Sequence, residues 1–400
     1  MKNFLVILLC FAASIFQINA QETKKAIPHS VRLFKYGSAQ RTEIILPQVK
    51  GYNCYKGDFH VHTSYSDGVV SPAGRVSEAW LDGLDIVAIT DHYEGQKGVQ
   101  KSFKVTAPYN EDGVPTKYLS ASKAGEVKVD FNAIHAEAQA QLEKSNYPML
   151  LVKGCEMARK ADTHGHFNCL FLDDLNGLYN KDIKEAFRNV KARGGIIIHN
   201  HPAWRRDTSD KTEFHEEVYK EGLIDGVEVV NGSTFYPHMV RRCIDEKLTM
   251  FANTDMHNIA TYPRIAGDPF RTMTFVLAKE LTEKAVKEAL LKRRTLAYVG
   301  GNVIGEEEWL AEFLNASVEC RIVQENKEQG YRKFQITNHS SIPFTLRKGK
   351  KSYQLKPFTS LFISFGKEKN SKMYLAPKFT VENMWITDYK HPVVVLEIDK

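Results

Sequence analysis

Histidine and acidic side chains recur where short apolar segments of this chain end, with His166 placed just before such a segment. They are His60, His62, Asp67, Asp91, His92, Glu156, His166, His199, His201, Asp255 and His257. Neutral imidazoles and carboxylates are common ligands of divalent transition metals. His60 and His62 are separated by one residue, which places both rings on one face of a strand, so both can bind one ion. The pattern predicts a metal site.

The number of these groups indicates more than one ion. Even six of these seven histidines and three of these four carboxylates exceed what one tetrahedral or octahedral ion needs. Three divalent ions, three carboxylates and one hydroxide leave a surplus of about two positive charges. Such a surplus favours an anionic oxygen substrate, for example a phosphate ester. One HxH or Asp-His pair is weak evidence, but repetition on successive strand ends outweighs a purely structural interpretation.

The segments that carry these groups alternate with amphipathic helices. Strands are predicted at 58–61, 85–90, 149–155, 167–172, 196–198, 227–230, 249–253 and 272–277. Ser71 and Pro72 open one helix, which ends at Gly83, and Asp130 caps another. Repeated strand–helix units predict a parallel α/β sheet, and seven or eight of them favour a closed barrel, whose strand ends meet on one face.

The chain divides into segments that differ in composition and in predicted secondary structure. Residues 1–20 read as a signal peptide, and 21–50 form a polar N-terminal lead-in. Residues 51–308 form the predicted barrel, interrupted by a long loop at 94–128, a length typical of functional or disordered segments. Residues 312–400 alternate short strand-like runs with turns, which predicts a small all-β sandwich.

The charge and the cysteine pattern limit the partners to be expected, and the N-terminal segment predicts the location. The 400 residues carry a formal charge of +6 without a long basic run, which argues against nucleic-acid binding. No CxxC pair is present, so a thiolate zinc site is not expected, and the sparse cysteines do not form a disulfide framework. The signal peptide predicts an exported protein, periplasmic or secreted, without a transmembrane span in the mature chain.

Several motifs follow one another in the order of a known family. They are Asp58-Phe-His-Val-His-Thr63, Ser66-Asp67-Gly68, Ile89-Thr-Asp-His92, Gly154-Cys-Glu156, Gly165-His166, His201-Pro202 and Thr254-Asp-Met-His257. Over roughly residues 55–300 the chain thereby resembles the polymerase and histidinol phosphatase (PHP) family. The flanking segments 200–204, 225–231 and 271–274 and the β-rich tail look like the exported Sb-PDE-type phosphodiesterase branch.

The resemblance implies a distorted (βα)7 TIM-like barrel with a trinuclear metal centre. It assigns His60, His62, Glu156 and Asp255 to the first ion, Glu156, His166 and His201 to the second, and Asp67, His92 and His257 to the third. His166 is preferred to His164, and His201 to His199, because they match the Gly-His and His-Pro positions of the family. The His and carboxylate mixture suits Mn, Zn or Fe.

The predicted function is an exported metal-dependent phosphoesterase. A phosphodiesterase with a metal-bridging hydroxide is favoured, with Glu156, Asp255 and His257 as catalytic residues. Trp204, Arg205 and Lys97 are candidate substrate contacts, and His199 and His238 are candidate proton donors. The alternatives are a phosphomonoesterase of the histidinol-phosphatase type and a non-catalytic, metal-containing binding protein.

Overall fold

The structure is a computed structural model that describes residues 40–93, 130–260, 269–368, 372–387 and 389–399. By its internal contacts the chain divides into Met1–Gln40 and Arg41–Lys400, and the elements below belong to the second unit. The predicted signal peptide, residues 21–39 of the lead-in, the 94–128 loop and Lys97 lie outside the described residues. Among the described helices, none is long and apolar enough to cross a membrane.

A twelve-stranded sheet forms the largest part of the fold. Its strands are β1 (Asn53–Asp58), β2 (Ile86–Ile89), β3 (Leu150–Ala158), β4 (His166–Leu170), β5 (Ile196–His199), β6 (Gly226–Asn231), β7 (Thr234–Phe235), β8 (Thr249–Asn253), β9 (Met273–Ala278), β10 (Thr295–Val299), β11 (Asn302–Ile304) and β18 (Met384–Trp385). The order is β18-β11-β10-β9-β1-β2-β3-β4-β5-β6-β7, and β8 pairs with β6. In the described part of the chain, seven helices flank these strands: α1 (Pro72–Leu81), α2 (Phe131–Ser145), α3 (Ile183–Ala192), α4 (Glu213–Lys220), α5 (Pro237–Asp245), α6 (Glu283–Leu291) and α7 (Glu307–Ser317).

The sheet is mixed, so the prediction of a wholly parallel sheet is wrong at two places. Strands β1, β2 and β3 are parallel, as are β5, β6 and β8. Strand β4 runs antiparallel to β3 and β5, because β3 returns into it through a turn rather than through a crossover helix. Strand β9 runs antiparallel to β1. The exact (βα)7 count stays a prediction.

Threonine side chains of β9 and β10 connect β8, the last of the parallel strands, to the side of the sheet that contains β1. The hydroxyl of Thr274 on β9 accepts a hydrogen bond from the amide of Ala252 on β8 and donates one to its carbonyl, each at 2.9 Å. Thr295 on β10 donates to the carbonyl of Met250 at 2.9 Å. The sheet therefore curls towards a barrel at this seam through threonine side chains.

The local signals for two helices are confirmed. The Ser71 side chain accepts from the amide of Gly74 at the start of α1, and Gly83 follows that helix with a left-handed φ of +88°. Asp130 caps α2. The first strand, in contrast, ends at Asp58 and lies earlier than predicted. Residue 61 instead forms a single parallel bridge with Met256.

The C-terminal residues form two further sheets. Their strands are β12 (Val318–Asn326), β13 (Tyr331–Asn338), β14 (Phe344–Lys348), β15 (Lys351–Leu355), β16 (Ser360–Gly366), β17 (Lys378–Val381) and β19 (Val393–Val395), in the orders β12-β13-β16 and β15-β14-β17-β19. Phe365 packs edge-on against Phe334 at 5.6 Å and against Phe379 at 5.5 Å, which joins the two sheets. Burial of each such ring contributes about 1.5–3 kcal/mol. This arrangement agrees with a small sandwich, although β18 leaves it and pairs with β11 in the large sheet.

Candidate metal centre

The first histidine pair lies just beyond β1, between the end of β2 and the loop after β8. The carbonyl of His60 accepts from the amide of Asp255 at 2.9 Å, and the amide of His62 donates to the carbonyl of Met256 at 3.0 Å. Both rings are buried, and their Nε2 atoms are 3.1 Å apart. Two ring nitrogens held this close, facing the same carboxylates, are well placed to share an ion.

Glu156 lies near the end of β3 at the centre of the cluster, and it is fully buried. Its Oε1 faces ring nitrogens of His60 at 3.3 Å, His166 at 3.3 Å and His201 at 3.4 Å, and its Oε2 faces those of His92 at 2.8 Å and His62 at 3.5 Å. A carboxylate that faces five imidazoles through two oxygens has the geometry of a bridging ligand. The family resemblance implies this role for Glu156, and the role stays a prediction.

The structure brings all nine predicted ligands together. Their ligand atoms fall into four overlapping groups within 4.8 Å: His62, Asp67, His92 and His257; His60, His201 and Asp255; His60, His62 and Glu156; His92, Glu156 and His166. His164 and His199 belong to none of these groups within the described residues. The ring of His199 instead contacts the hydroxyl of Tyr219 at 2.7 Å. His238, the other predicted proton donor, is exposed on α5.

The chemistry of this donor set fits divalent cations. Glu156 Oε2 and Asp255 Oδ1 are buried, and neither accepts a hydrogen bond of normal geometry from the described residues. A buried carboxylate oxygen without a well-aligned donor is costly, and a cation would compensate for it. The mixture of imidazole nitrogens and carboxylate oxygens suits Mn, Zn or Fe.

Backbone strain accompanies two of the predicted ligands. His201 has a φ of +24° and Asp255 a φ of +54°, both in the left-handed region. Non-glycine residues adopt this region rarely, although Asp and His do so more readily than most. Such conformations cost about 1–3 kcal/mol each and are found preferentially at functional sites.

Opposite charges set the protonation of the cluster in the absence of metal. Burial disfavours the charged form of the Glu156 carboxyl, but His92 and His60 outweigh it and hold its pKa well below the usual value. Burial likewise disfavours a charged His92, but Glu156 and Asp67 overcome it and raise the His92 pKa to about 11. Asp255 has a lowered pKa because His60 and His62 outweigh its burial.

Metal binding is therefore expected to release protons. Metal-free His92 is protonated at neutral pH, since its pKa lies near 11, and an ion that binds its ring must displace that proton. Raising the pH from 6 to 8 should strengthen the apparent affinity for Zn²⁺ by up to about tenfold per pH unit for each proton displaced. Chelator competition at pH 6, 7 and 8 measures this, and a dissociation constant that does not change with pH would contradict it.

A buried arginine that sequence reasoning missed supports two of the ligand loops. Arg75 on α1 is 2% exposed, and its guanidinium donates to the carbonyls of His62 at 2.8 Å, His257 at 2.7 Å and Asn258 at 2.7 Å. It also donates to the carbonyl of Met256 at 3.1 Å. The available signal was its position four residues before the apolar Ala79, a spacing that places both side chains on one face of the helix.

Two asparagines that were not predicted hold the Glu156 carboxylate. Asn200 Nδ2 donates to Glu156 Oε1 at 2.8 Å and to Asn168 Oδ1 at 2.9 Å. Asn168 Nδ2 then donates to the carbonyl of Phe59 at 2.9 Å, next to the first histidine. All three polar side chains are buried, so this chain of hydrogen bonds fixes Glu156 relative to the end of β1.

Two of the predicted substrate contacts lie beside the cluster. The Trp204 side chain is 40% exposed, and its ring lies 4.9 Å from that of His166 and 5.4 Å from that of His201. The Arg205 guanidinium stacks over the Trp204 ring at 4.3 Å. A cavity of about 400 Å³ adjoins Asp255 and His257, and its lining includes Ser233, Asn258 and Phe270.

Comparison with known proteins decides the family. Neither a protein-family model nor a curated relative matches the chain. A crystal structure from Bacteroides vulgatus, of a two-domain protein containing a predicted PHP-like metal-dependent phosphoesterase, is 33% identical. The match covers 90% of this chain and 99% of that one, with a TM-score of 0.75. The chain belongs to the PHP family.

Two further structures are less similar to this PHP protein. An amidohydrolase from Chromobacterium violaceum with bound sulfate and no metal is 14% identical, covering 60% of this chain and 97% of that one, with a TM-score of 0.36. An endonuclease Q in complex with a 27-mer duplex substrate is 16% identical, covering 64% and 60%, with a TM-score of 0.37. The family predicted from the motifs is confirmed by the Bacteroides match alone.

Proposed function

We propose that this protein is an exported phosphodiesterase that requires divalent metal ions. The observation that carries the proposal is the position of Glu156, whose two oxygens face ligand atoms from all four groups. Membership of the PHP family supports metal-dependent phosphoester chemistry. Export rests on the signal-like residues 1–20.

The nine ligands divide into three subsites in this proposal. As the family resemblance implies, His60, His62, Glu156 and Asp255 would hold one ion; Glu156, His166 and His201 would hold a second; and Asp67, His92 and His257 would hold a third. Bound ions would supply an activated water and neutralise charge on the phosphoryl oxygens. Glu156, Asp255 and His257 belong to this cluster, and we assign them catalytic roles through the ions that they would hold.

Two separate surfaces favour a diester over a monoester. Trp204, with Arg205 stacked on it, borders His166 and His201, while the cavity borders Asp255 and His257. A diester carries two organic groups, and each surface offers room for one of them. The Arg205 guanidinium adds positive charge near the phosphate, and no ion pair holds it within the described part of the chain. Lys97 remains a proposed contact on sequence grounds.

The test compares one diester with its matching monoester. The chain from Gln21 onward, stripped of metal and reloaded with Mn²⁺ or Zn²⁺, should hydrolyse bis(p-nitrophenyl) phosphate with a higher kcat/KM than p-nitrophenyl phosphate. The metal-free chain is the control and should be inactive. A preference for the monoester would make the protein a phosphatase. Metal binding without hydrolysis of either ester would favour a binding protein.

A further inference from the structure

Glu228 is a buried carboxylate that no predicted ligand set includes, although it contacts two of the predicted ligands. It lies on β6 and is fully buried. Its strand neighbours Val227 and Val229 pack in an apolar cluster with Met239 and Val240 of α5. Side chains alternate along a strand, so Glu228 faces the other side of the sheet, towards the metal centre.

Four donors surround this carboxylate. Its Oε1 contacts His60 Nδ1 at 2.8 Å and accepts from Asn253 Nδ2 at 2.9 Å, and its Oε2 accepts from the amide of His201 at 2.7 Å and from Asn231 Nδ2 at 2.8 Å. An ionised carboxylate offers about four lone-pair sites, so all of them are used. Glu228 therefore has no capacity left to bind an ion itself.

The contact between Glu228 and His60 determines which ring nitrogen of His60 can bind a metal ion. A carboxylate only accepts, so His60 Nδ1 carries the proton of this contact, and Nε2 is the ring nitrogen that can give its lone pair to an ion. That Nε2 lies 3.2 Å from Asp255 Oδ1 and 3.3 Å from Glu156 Oε1, inside the cluster. Glu228 thus selects the tautomer in which His60 can bind metal.

The other carboxylate oxygen, Glu228 Oε2, contacts His201, a residue of a second predicted ion subsite. It accepts from the backbone amide of His201, the residue with the left-handed φ of +24°. Asn231, which donates to the same oxygen, also lies 3.4 Å from Asp255 Oδ2. A β-bulge in the pairing of β6 with β8 adjoins Glu228, and bulges commonly re-aim side chains near active sites.

We propose that Glu228 is a positioning residue that holds His60 and His201, and with them two ion subsites, in their binding geometry. The inference rests on the proposed function only in so far as these residues hold ions. It places Glu228 outside the ligand set and makes its effect on metal affinity indirect, through the His60 tautomer and the His201 backbone.

Replacement of Glu228 by Gln supplies the test. The amide nitrogen of the new side chain would be a donor, and either orientation of the amide would place that nitrogen against two donors. Chelator competition with Zn²⁺ alone should show affinity weakened by about 10- to 100-fold, the range typical of lost outer-shell contacts to metal ligands. Excess Zn²⁺ should then restore much of the lost occupancy.

A matched control separates positioning from general stability. Asp225 lies one residue before β6 and is half-buried, accepting from Lys191 Nζ at 2.6 Å and from the amide of Ile197 at 2.8 Å, away from the cluster. Asp225→Asn should lower the melting temperature and leave the Zn²⁺ affinity unchanged. If Glu228→Gln does not fold, Glu228→Asp keeps the charge, shortens the reach and should still weaken binding.

Wild-type affinity in folded Glu228→Gln or Glu228→Asp would overturn the inference. An equal loss of affinity in Asp225→Asn would also overturn it, since the effect would then follow from stability. A wild-type chain that binds no Zn²⁺ would instead defeat the proposed function. A wild type that binds Zn²⁺ without hydrolysing esters would defeat the phosphodiesterase and leave the affinity comparison valid.

Discussion

Replacement of Glu156 by Gln is expected to remove two of the three predicted ions and to lower kcat by roughly 10³-fold or more. The two oxygens of Glu156 face five imidazoles, and a Gln side chain would present an amide nitrogen, which cannot bind a cation, in place of one of them. The fold should persist, since Asn200 can still donate to the remaining carbonyl oxygen. Elemental analysis of the reloaded protein and the diester assay measure both effects.

Asp67→Asn is the matched control for that experiment. Asp67 lies 3.1 Å from His257 and 3.4 Å from His92, and it belongs to only one of the four groups. Its replacement should therefore remove one ion rather than two. Full metal content and near-normal turnover in Glu156→Gln would show that Glu156 is not the bridging ligand.

Replacement of Arg75 by Met is expected to lower the free energy of unfolding by about 3–5 kcal/mol. The change removes the donor from the carbonyl oxygens of His62 and Asn258 and from the Glu78 carboxylate at 2.7 Å. The carbonyls of Met256 and His257 also lose the guanidinium, but each keeps one backbone donor. A buried acceptor that loses its donor costs about 1–3 kcal/mol, and such costs are not additive. Urea unfolding of the metal-free protein measures the loss independently of metal binding.

Arg188 on α3 provides the comparison for Arg75. Its guanidinium pairs with Glu185 and Glu221, and all three side chains are exposed. Arg188→Met should therefore have a much smaller effect than Arg75→Met, as is usual for surface ion pairs. Similar losses in the two variants would mean that the carbonyl contacts of Arg75 contribute little to stability.

The sequence predicted which side chains would cluster better than it predicted the residues that support them. HxH spacing and the convergence of strand ends are local and topological rules, so His60, His62 and Glu156 could be brought together in advance. Arg75 and Asn200 act on carbonyls and carboxylates far away in the chain. Such contacts depend on three-dimensional placement, and no spacing rule encodes them.

Strand direction was the main error in the fold, and it has a physical cause. The residue pattern of an apolar strand is the same whether the strand runs parallel or antiparallel to its neighbour. Only the connection that precedes the strand distinguishes the two arrangements. The segment between β3 and β4 is short and forms turns, with Gly165 at a φ of +81° just before His166. A connection without a helix was the available sign that β4 would run antiparallel.

The pairing of β18 with β11 determines when, during synthesis, the outer edge of the large sheet can be covered. The amide of Val303 donates to the carbonyl of Asn383, and that of Gly305 to the carbonyl of Trp385, so the outer edge of the large sheet is closed by residues near the carboxyl end. Every residue that is predicted to bind metal is translated well before those residues leave the ribosome. Until then the apolar edge at Val303 and Ile304 stays open to other chains, and its protection depends on a segment that is translated much later than the edge itself.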